Sequence, residues 1–148
     1  MNNHKCRQCS RCREPARIAR DAGPQNEEYF SSMTIILASA DTAAGHAARD
    51  FAIEEARRRD ADLIVFPVDG STPDISGFGY DRVTLENADG RSKDAVGDLI
   101  DATNRSEVEA VVVGVKRRSP AGKIFLGSSA QQIILEAAVP VISVKPAT

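Results

Sequence analysis

Ala110-Val111-Val112-Val113-Gly114-Val115 (AVVVGV) is the most apolar run in the chain, and what flanks it decides the fold. A strand that is apolar at every position, not at alternate ones, is covered on both faces, as in a parallel sheet between layers of helices. Towards the C-terminus, residues 127–138 carry Ala130, Ile133, Ile134 and Ala137 at helical spacing, and residues 139–144 (VPVISV) read as a last strand. Pro140 near its start lacks an N–H and fits an edge or a strand beginning. In the other direction, residues 92–103 place Ala95, Val96, Leu99, Ile100 and Thr103 on one helical face, with Ser92 as the expected N-cap. Residues 82–87 (RVTLEN) alternate Val83 and Leu85 with polar partners, the pattern of a strand exposed on one face.

The same alternation continues to residue 33. Residues 33–40 (MTIILASA) and 63–68 (LIVFPV) are short, doubly buried strands. Between them, residues 45–59 set Ala48, Phe51, Ala52, Ile53 and Ala56 inward. Arg49, Glu54, Glu55, Arg57, Arg58 and Arg59 are expected in water, with Asp41-Thr42 capping the entry. The basic last turn suits the negative end of the helix dipole. Residues 69–81 contain Gly70, Pro73, Gly77 and Gly79 and show no helical period, so the second and third strands are joined by a loop. Either that loop crosses in extended or 3₁₀ form to a parallel strand, or the third strand runs antiparallel. The parallel reading is preferred, because strands alternating with helices build right-handed βαβ units. The outcome is one α/β domain over residues 33–148.

Residues 1–32 differ in kind. They are rich in Arg, Asn, Gln and Ser, end in a Gly23-Pro24 linker, and are expected to be a disordered basic tail. All three cysteines lie there. His4, Cys6, Cys9 and Cys12 form H-x-C-x2-C-x2-C, four ligands that can close a zinc site, although zinc sites usually split their ligands into two separated pairs. Arg7, Arg11 and Arg13 would hold these thiolates without any metal, and an oxidisable tail is preferred to a metal site. A second reading starts the protein at Met33. The tail has no apolar core of a secretory signal, no run approaches the ~18 apolar residues of a membrane span, and a cytoplasmic location is expected. A net charge of −2 gives no general attraction to nucleic acid or to membranes.

Ligands of open α/β sheets bind at the carboxyl ends of strands where the connection reverses, so the loop after AVVVGV is the first place to look. Gly114 would leave room for a ligand at the strand end. Gly127-Ser128-Ser129 opens a helix whose first N–H groups suit an anion. Lys116, Arg117, Arg118 and Lys123 lie between them. Ordinary turn and capping chemistry explains the same residues without a ligand. Neither a Walker A loop nor a G-x-G-x-x-G turn is present.

This stretch resembles the universal stress protein family, whose nucleotide-binding members carry G-x2-G-x9-G-S/T here. Gly114, Gly127 and Ser128 match, and Arg117 stands where the second Gly belongs. The resemblance extends over residues 33–68 and over the ending Glu136-Ala137-Ala138-Val139-Pro140-Val141-Ile142-Ser143-Val144. It implies a five-stranded parallel sheet of order 3-2-1-4-5, Rossmann-like and of the adenine nucleotide α-hydrolase-like class, with helices on both faces. It further implies that Gly114, Arg117, Gly127, Ser128 and Ser129 surround the phosphates of ATP or another adenine nucleotide, with or without Mg. Asp41 would contact the nucleoside and Val68 the adenine. A homodimer would form through residues 139–144.

Three functions follow from the resemblance: a nucleotide-binding dimer that serves as a stress-response module, a structural dimer with an empty site, and a weak ATPase. Arg117 separates the first two, because its Cβ hinders close backbone approach while its guanidinium can grip phosphate. No general base stands out; His46 reads as a surface or capping residue. Asp69, Asp74 and Asp81 read as solvated loop carboxylates, and Gly77-Phe78-Gly79-Tyr80 either covers the sheet edge or forms a flap over the site.

Overall fold

The computed structural model describes residues 32–116 and 126–147. In chain order the elements are strand β1 (Thr34–Ser39), helix α1 (Ala43–Arg59), strand β2 (Asp62–Pro67), a 3₁₀ turn (Ile75–Phe78), strand β3 (Val83–Leu85), helix α2 (Ala95–Ala102), strand β4 (Val108–Gly114), helix α3 (Ser128–Glu136) and strand β5 (Val141–Val144). All five strands are parallel, in the order β3-β2-β1-β4-β5. The direction of the connections therefore reverses between β1 and β4, and the expected topology holds.

Two apolar layers sandwich the sheet because successive residues of a strand point to opposite faces. Ile35, Leu37, Leu63, Val65 and Val112 meet Ala48, Ala52, Ile53 and Ala56 of α1 on one face. Ile36, Ala38, Phe66, Val111 and Val113 meet Val96 and Leu99 of α2 and Ala130 and Ile133 of α3 on the other. Burying each large aliphatic side chain is worth about 1.5–3 kcal/mol. A one-residue slip would exchange the two sets, so this double burial fixes the register, in which Ile36 lies beside both Ile64 and Val111.

The connection from β2 to β3 crosses in 3₁₀ form, which resolves the third strand as parallel. Gly70 at φ 77° and Gly79 at φ 61° supply left-handed turns at either end. Ile75, Phe78 and Tyr80 pack against the α1-facing layer, so this segment does the covering work of a missing helix. Arg57 on α1 donates to the Gly79 carbonyl and lies over the Tyr80 ring. Asp74 caps the turn by accepting from the Ser76 amide at 2.9 Å, so it is a local structural carboxylate and not a purely solvated one.

Three sequence expectations need correction. The N-cap of α2 is Asp94, not Ser92: its carboxylate accepts from the Gly97 amide at 3.0 Å, whereas the Ser92 hydroxyl bonds to the backbone of Asp94, accepting from its amide and donating to its carbonyl. A carboxylate adjacent to the first helical residue outcompetes a hydroxyl three positions from it. Glu55 does not face water: its side chain is 8% exposed and pairs with Arg58 at 3.1 Å and Arg59 at 2.7 Å. Those two arginines satisfy it, which is the condition for burying a carboxylate. The strand over residues 82–87 is shorter than its alternation implied: Val83–Leu85 pairs in register with β2, and one further bond at each end, from the Leu63 amide to the Arg82 carbonyl and from the Glu86 amide to the Val65 carbonyl, closes the ladder.

Candidate functional site

The site begins with two glycines that let α1 start very close to the sheet. After β1, the Thr42 amide donates back to the Ala40 carbonyl at 2.9 Å, and the Thr42 hydroxyl then caps α1 by accepting from the Gly45 amide at 3.0 Å. A Cβ on Gly45 would lie 1.9 Å from the Ala40 oxygen, and one on Gly114 would lie 2.3 Å from the Ala44 oxygen. Gly114 is thus bare because the N-terminus of α1 presses on the end of β4. Packing gives Gly114 a second reason to lack a side chain, beside its place on the cleft wall.

On the other side of the switch point, Gly127 is the N-cap residue of α3, with φ −59° and no side-chain cap bond. A Cβ there would meet nothing within 4 Å. The first turns of α1 and α3 both open on one cleft of about 190 Å³, lined from α1 by Thr42, Ala44 and Gly45 and from α3 by Ser128, Ser129 and Ala130. Lys116 stands on its rim. Neither helix has an acidic residue in its first turn, whereas α2 carries Asp98 there. The positive ends of two helix dipoles therefore converge on one concavity, which favours an anion.

Val68, Gly114, Gly127, Ser128 and Ser129 all line this cleft. Asp41 lines an adjoining cleft of about 460 Å³, where its carboxylate lies 3.0 Å from His46 Nε2. His46 is thus the partner of Asp41 at the surface. Arg117 lies outside the described residues, and so do His4, Cys6, Cys9 and Cys12. The contribution of α1 was missed from the sequence. The signal was available: helices that follow β1 and β4 in a doubly wound sheet both begin at the switch point.

Asp69 also lines the phosphate-sized cleft. Partial burial pushes its carboxyl up, but hydrogen bonds from Ser71 and from the Asp41 amide outweigh this and hold it below the ordinary carboxylate range. The Asp41 bond is 2.7 Å and the Ser71 amide bond 3.0 Å. Asp69 therefore spends its charge on the loops after β1 and β2, tying them together.

A doubly wound parallel sheet with an anion-suited cleft at its switch point defines a small Rossmann-like α/β domain. A profile of the Universal stress protein family matches residues 80–145. A universal stress protein from Mycolicibacterium smegmatis is 35% identical over 128 residues, covering 77% of this chain and 98% of that protein. The chain belongs to the universal stress protein family. Among solved structures, a universal stress protein from Archaeoglobus fulgidus superposes with a TM-score of 0.58 at 27% identity, covering 77% of this chain and 98% of that one. A universal stress protein crystallised in complex with cAMP superposes at 0.54 with 16% identity, covering 78% and 99%, a likeness of fold alone. The sheet order is that of the adenine nucleotide α-hydrolase-like class. No helix among the described residues is long and apolar enough to cross a membrane.

Proposed function

We propose that this protein binds an adenine nucleotide, ATP foremost, in the cleft between β1 and β4, and acts as a dimeric regulatory module in a stress response. The carrying observation is the convergence of the α1 and α3 N-termini on that cleft, with Gly127 leaving open space beside the α3 amides. Polyphosphate accepts hydrogen bonds from such amides, and Lys116 adds a mobile positive charge. In this reading Ser128 and Ser129 hold phosphate and Val68 meets the adenine. Related proteins support the nucleotide class, since one of the fold neighbours was crystallised with cAMP.

The test is direct. Protein purified from cells and then denatured should release adenine nucleotide, and stripped protein should show saturable heat and a raised melting temperature with ATP, with and without Mg. No response to ATP, ADP or AMP at millimolar concentration refutes the reading. The rival reading, a dimerisation module with no nucleotide, gains from one observation: packing against Ala44 already explains Gly114 without a ligand. Background turnover of ATP, equal in wild type and in Asp41→Ala, would set aside the ATPase alternative.

The dimer is assigned to the outer edge of β5. The Val111 amide donates to the Pro140 carbonyl and the Val115 amide to the Val144 carbonyl. Backbone groups of residues 140, 142 and 144 therefore face β4, and those of 141 and 143 face outward. Ser143→Pro removes an outward donor while leaving the β4 ladder intact. Sedimentation should show a dimer for wild type and a shift to monomer for Ser143→Pro, with an unchanged urea midpoint at low protein concentration. A wild-type monomer would refute the assignment.

A further inference from the structure

The pairing of β1 with β2 runs to Ser39 and Pro67, and its last bond goes from the Val68 amide to the Ser39 carbonyl at 2.9 Å. Past that bond the two chains part, one into α1 and the other into the 3₁₀ connection. Ala40 and Val68 are the first residues beyond the paired stretch, and both line the phosphate-sized cleft. One side chain spans the parting. Asp69 Oδ2 accepts from the Asp41 amide at 2.7 Å, and Oδ1 accepts from the Ser71 amide at 3.0 Å.

These two bonds differ in kind. The bond to Ser71 is local, the two-residue loop that Asp, Asn and Ser side chains make with their own backbone. The bond to Asp41 crosses to the loop after β1, 28 positions away in the chain. Both partners are N–H donors, so both ends of the side chain must accept. A carboxylate does this; a carboxamide has one accepting end and one donating end. The charge also stands against the proposed ligand. Asp69 shares the cleft wall with Ser128, Ser129 and Lys116, so its carboxylate repels the phosphates those groups would hold. A neutral Asn would serve the local turn without that repulsion, which leaves the crossing bond as the reason for an acid here.

We propose that Asp69 is the positioning residue for the nucleoside half of the ligand: its bond to the Asp41 amide sets the spacing of Ala40 and Val68 before the ligand arrives, so the base meets a preformed wall. This rests on the nucleotide reading above. Asp69 acts through the backbone of the loop after β1 and not by touching the base. A preformed wall raises affinity because less of the chain must be ordered on binding. The phosphates are held by the α3 amides and Lys116, whereas the bonds of Asp69 go to the loops after β1 and β2.

The carboxylate therefore acts on the two halves of the ligand in opposite senses, and titration calorimetry of the full chain with ATP and with inorganic triphosphate separates them. Asp69→Asn keeps the size and the local turn, removes the charge and loses the crossing bond; Asp69→Ala loses both bonds. Wild type should bind ATP more tightly than triphosphate. Either variant should bind ATP roughly tenfold more weakly, the order of one hydrogen bond to a charged group, and triphosphate no more weakly than wild type. Tighter binding of both ligands would mean that Asp69 acts by repulsion alone, and weaker binding of both that the whole cleft has given way; either overturns the proposal. So does an Asp69→Asn protein that binds ATP within about twofold of wild type. Hydrogen exchange at the Asp41 amide is a reading without ligand: it should be faster in Asp69→Asn than in wild type while the β1 amides stay protected, and equal rates would overturn the proposal. Wild type that binds triphosphate as tightly as ATP would also overturn it and leave the phosphate cleft standing. Wild type that binds neither ligand would remove the nucleotide reading as well.

Discussion

Gly45→Ala is expected to lower the melting temperature by about 8–10 °C, the equivalent of roughly 2 kcal/mol for a domain of this size. In most exposed helices the same change stabilises by about 1 kcal/mol, because alanine is the better helix former. Here the new methyl would lie 1.9 Å from the Ala40 carbonyl oxygen, and the atom it meets is backbone. Overpacking of this kind costs about 1–3 kcal/mol, and a backbone partner puts it at the upper end. The carbonyl cannot retreat cheaply, since it accepts the Thr42 amide in the turn that delivers the α1 cap. Steric cost therefore outweighs propensity. Gly90→Ala, where nothing lies within 4 Å of the added atom, is the control and should change stability by less than about 0.5 kcal/mol. Thermal melts of the two variants check the claim; a Gly45→Ala protein as stable as wild type would refute it.

The consequence reaches beyond stability. Gly45 and Gly114 are what allow the first turn of α1 to sit against the end of β4, and that contact is what turns two helix N-termini towards one cleft. In the proposed complex the glycines would set ligand affinity through the position of α1 as well as from the cleft wall, where both lie. Substitution at either should disturb ligand affinity and fold together, unlike substitution at the open Gly127.

Much of this was legible because hydrophobic periodicity reports on layers. Strands without polar interruption gave a sheet covered on both faces, and their alternation with helical segments gave the parallel order. What was not legible depends on contacts between segments distant in sequence. Ser92 and Asp94 are both good caps by type, and only the point where α2 meets the sheet selects Asp94. Glu55 has the composition of a surface residue, and its burial follows from two arginines that fold back along the same helix. Gly114 matches a ligand motif by spacing, yet its neighbour in space is Ala44, 70 positions away in the chain. The cleft of about 460 Å³ beside α1 was touched in the sequence only by the alternative of a Gly77-Phe78-Gly79-Tyr80 flap over the site. It depends on how a glycine- and proline-rich connection covers a sheet face that a helix would otherwise occupy.

Gly127 separates charge from shape at the proposed phosphate cleft. Gly127→Ala adds a methyl where nothing lies within 4 Å, at a φ of −59° that any residue adopts, and should leave ATP affinity within about threefold. Gly127→Asp places a carboxylate at the N-cap of α3, a position with no side-chain cap at present. Asp is among the best N-cap residues, so this variant should be more stable than wild type by roughly 0.3 kcal/mol, the usual margin of Asp over Gly at that position. The same carboxylate would accept from the α3 amides that the phosphates need and would repel those phosphates across a short distance. ATP affinity should fall by at least about a hundredfold, since losing two charge-assisted hydrogen bonds at ~1.5 kcal/mol each already exceeds 2.7 kcal/mol. Stability and binding thus move in opposite directions in one substitution, an outcome that general misfolding cannot imitate. Urea titration and ATP calorimetry on the three proteins measure both effects. A Gly127→Asp protein that is better capped and still binds ATP as wild type does would show that the α3 N-terminus holds no phosphate.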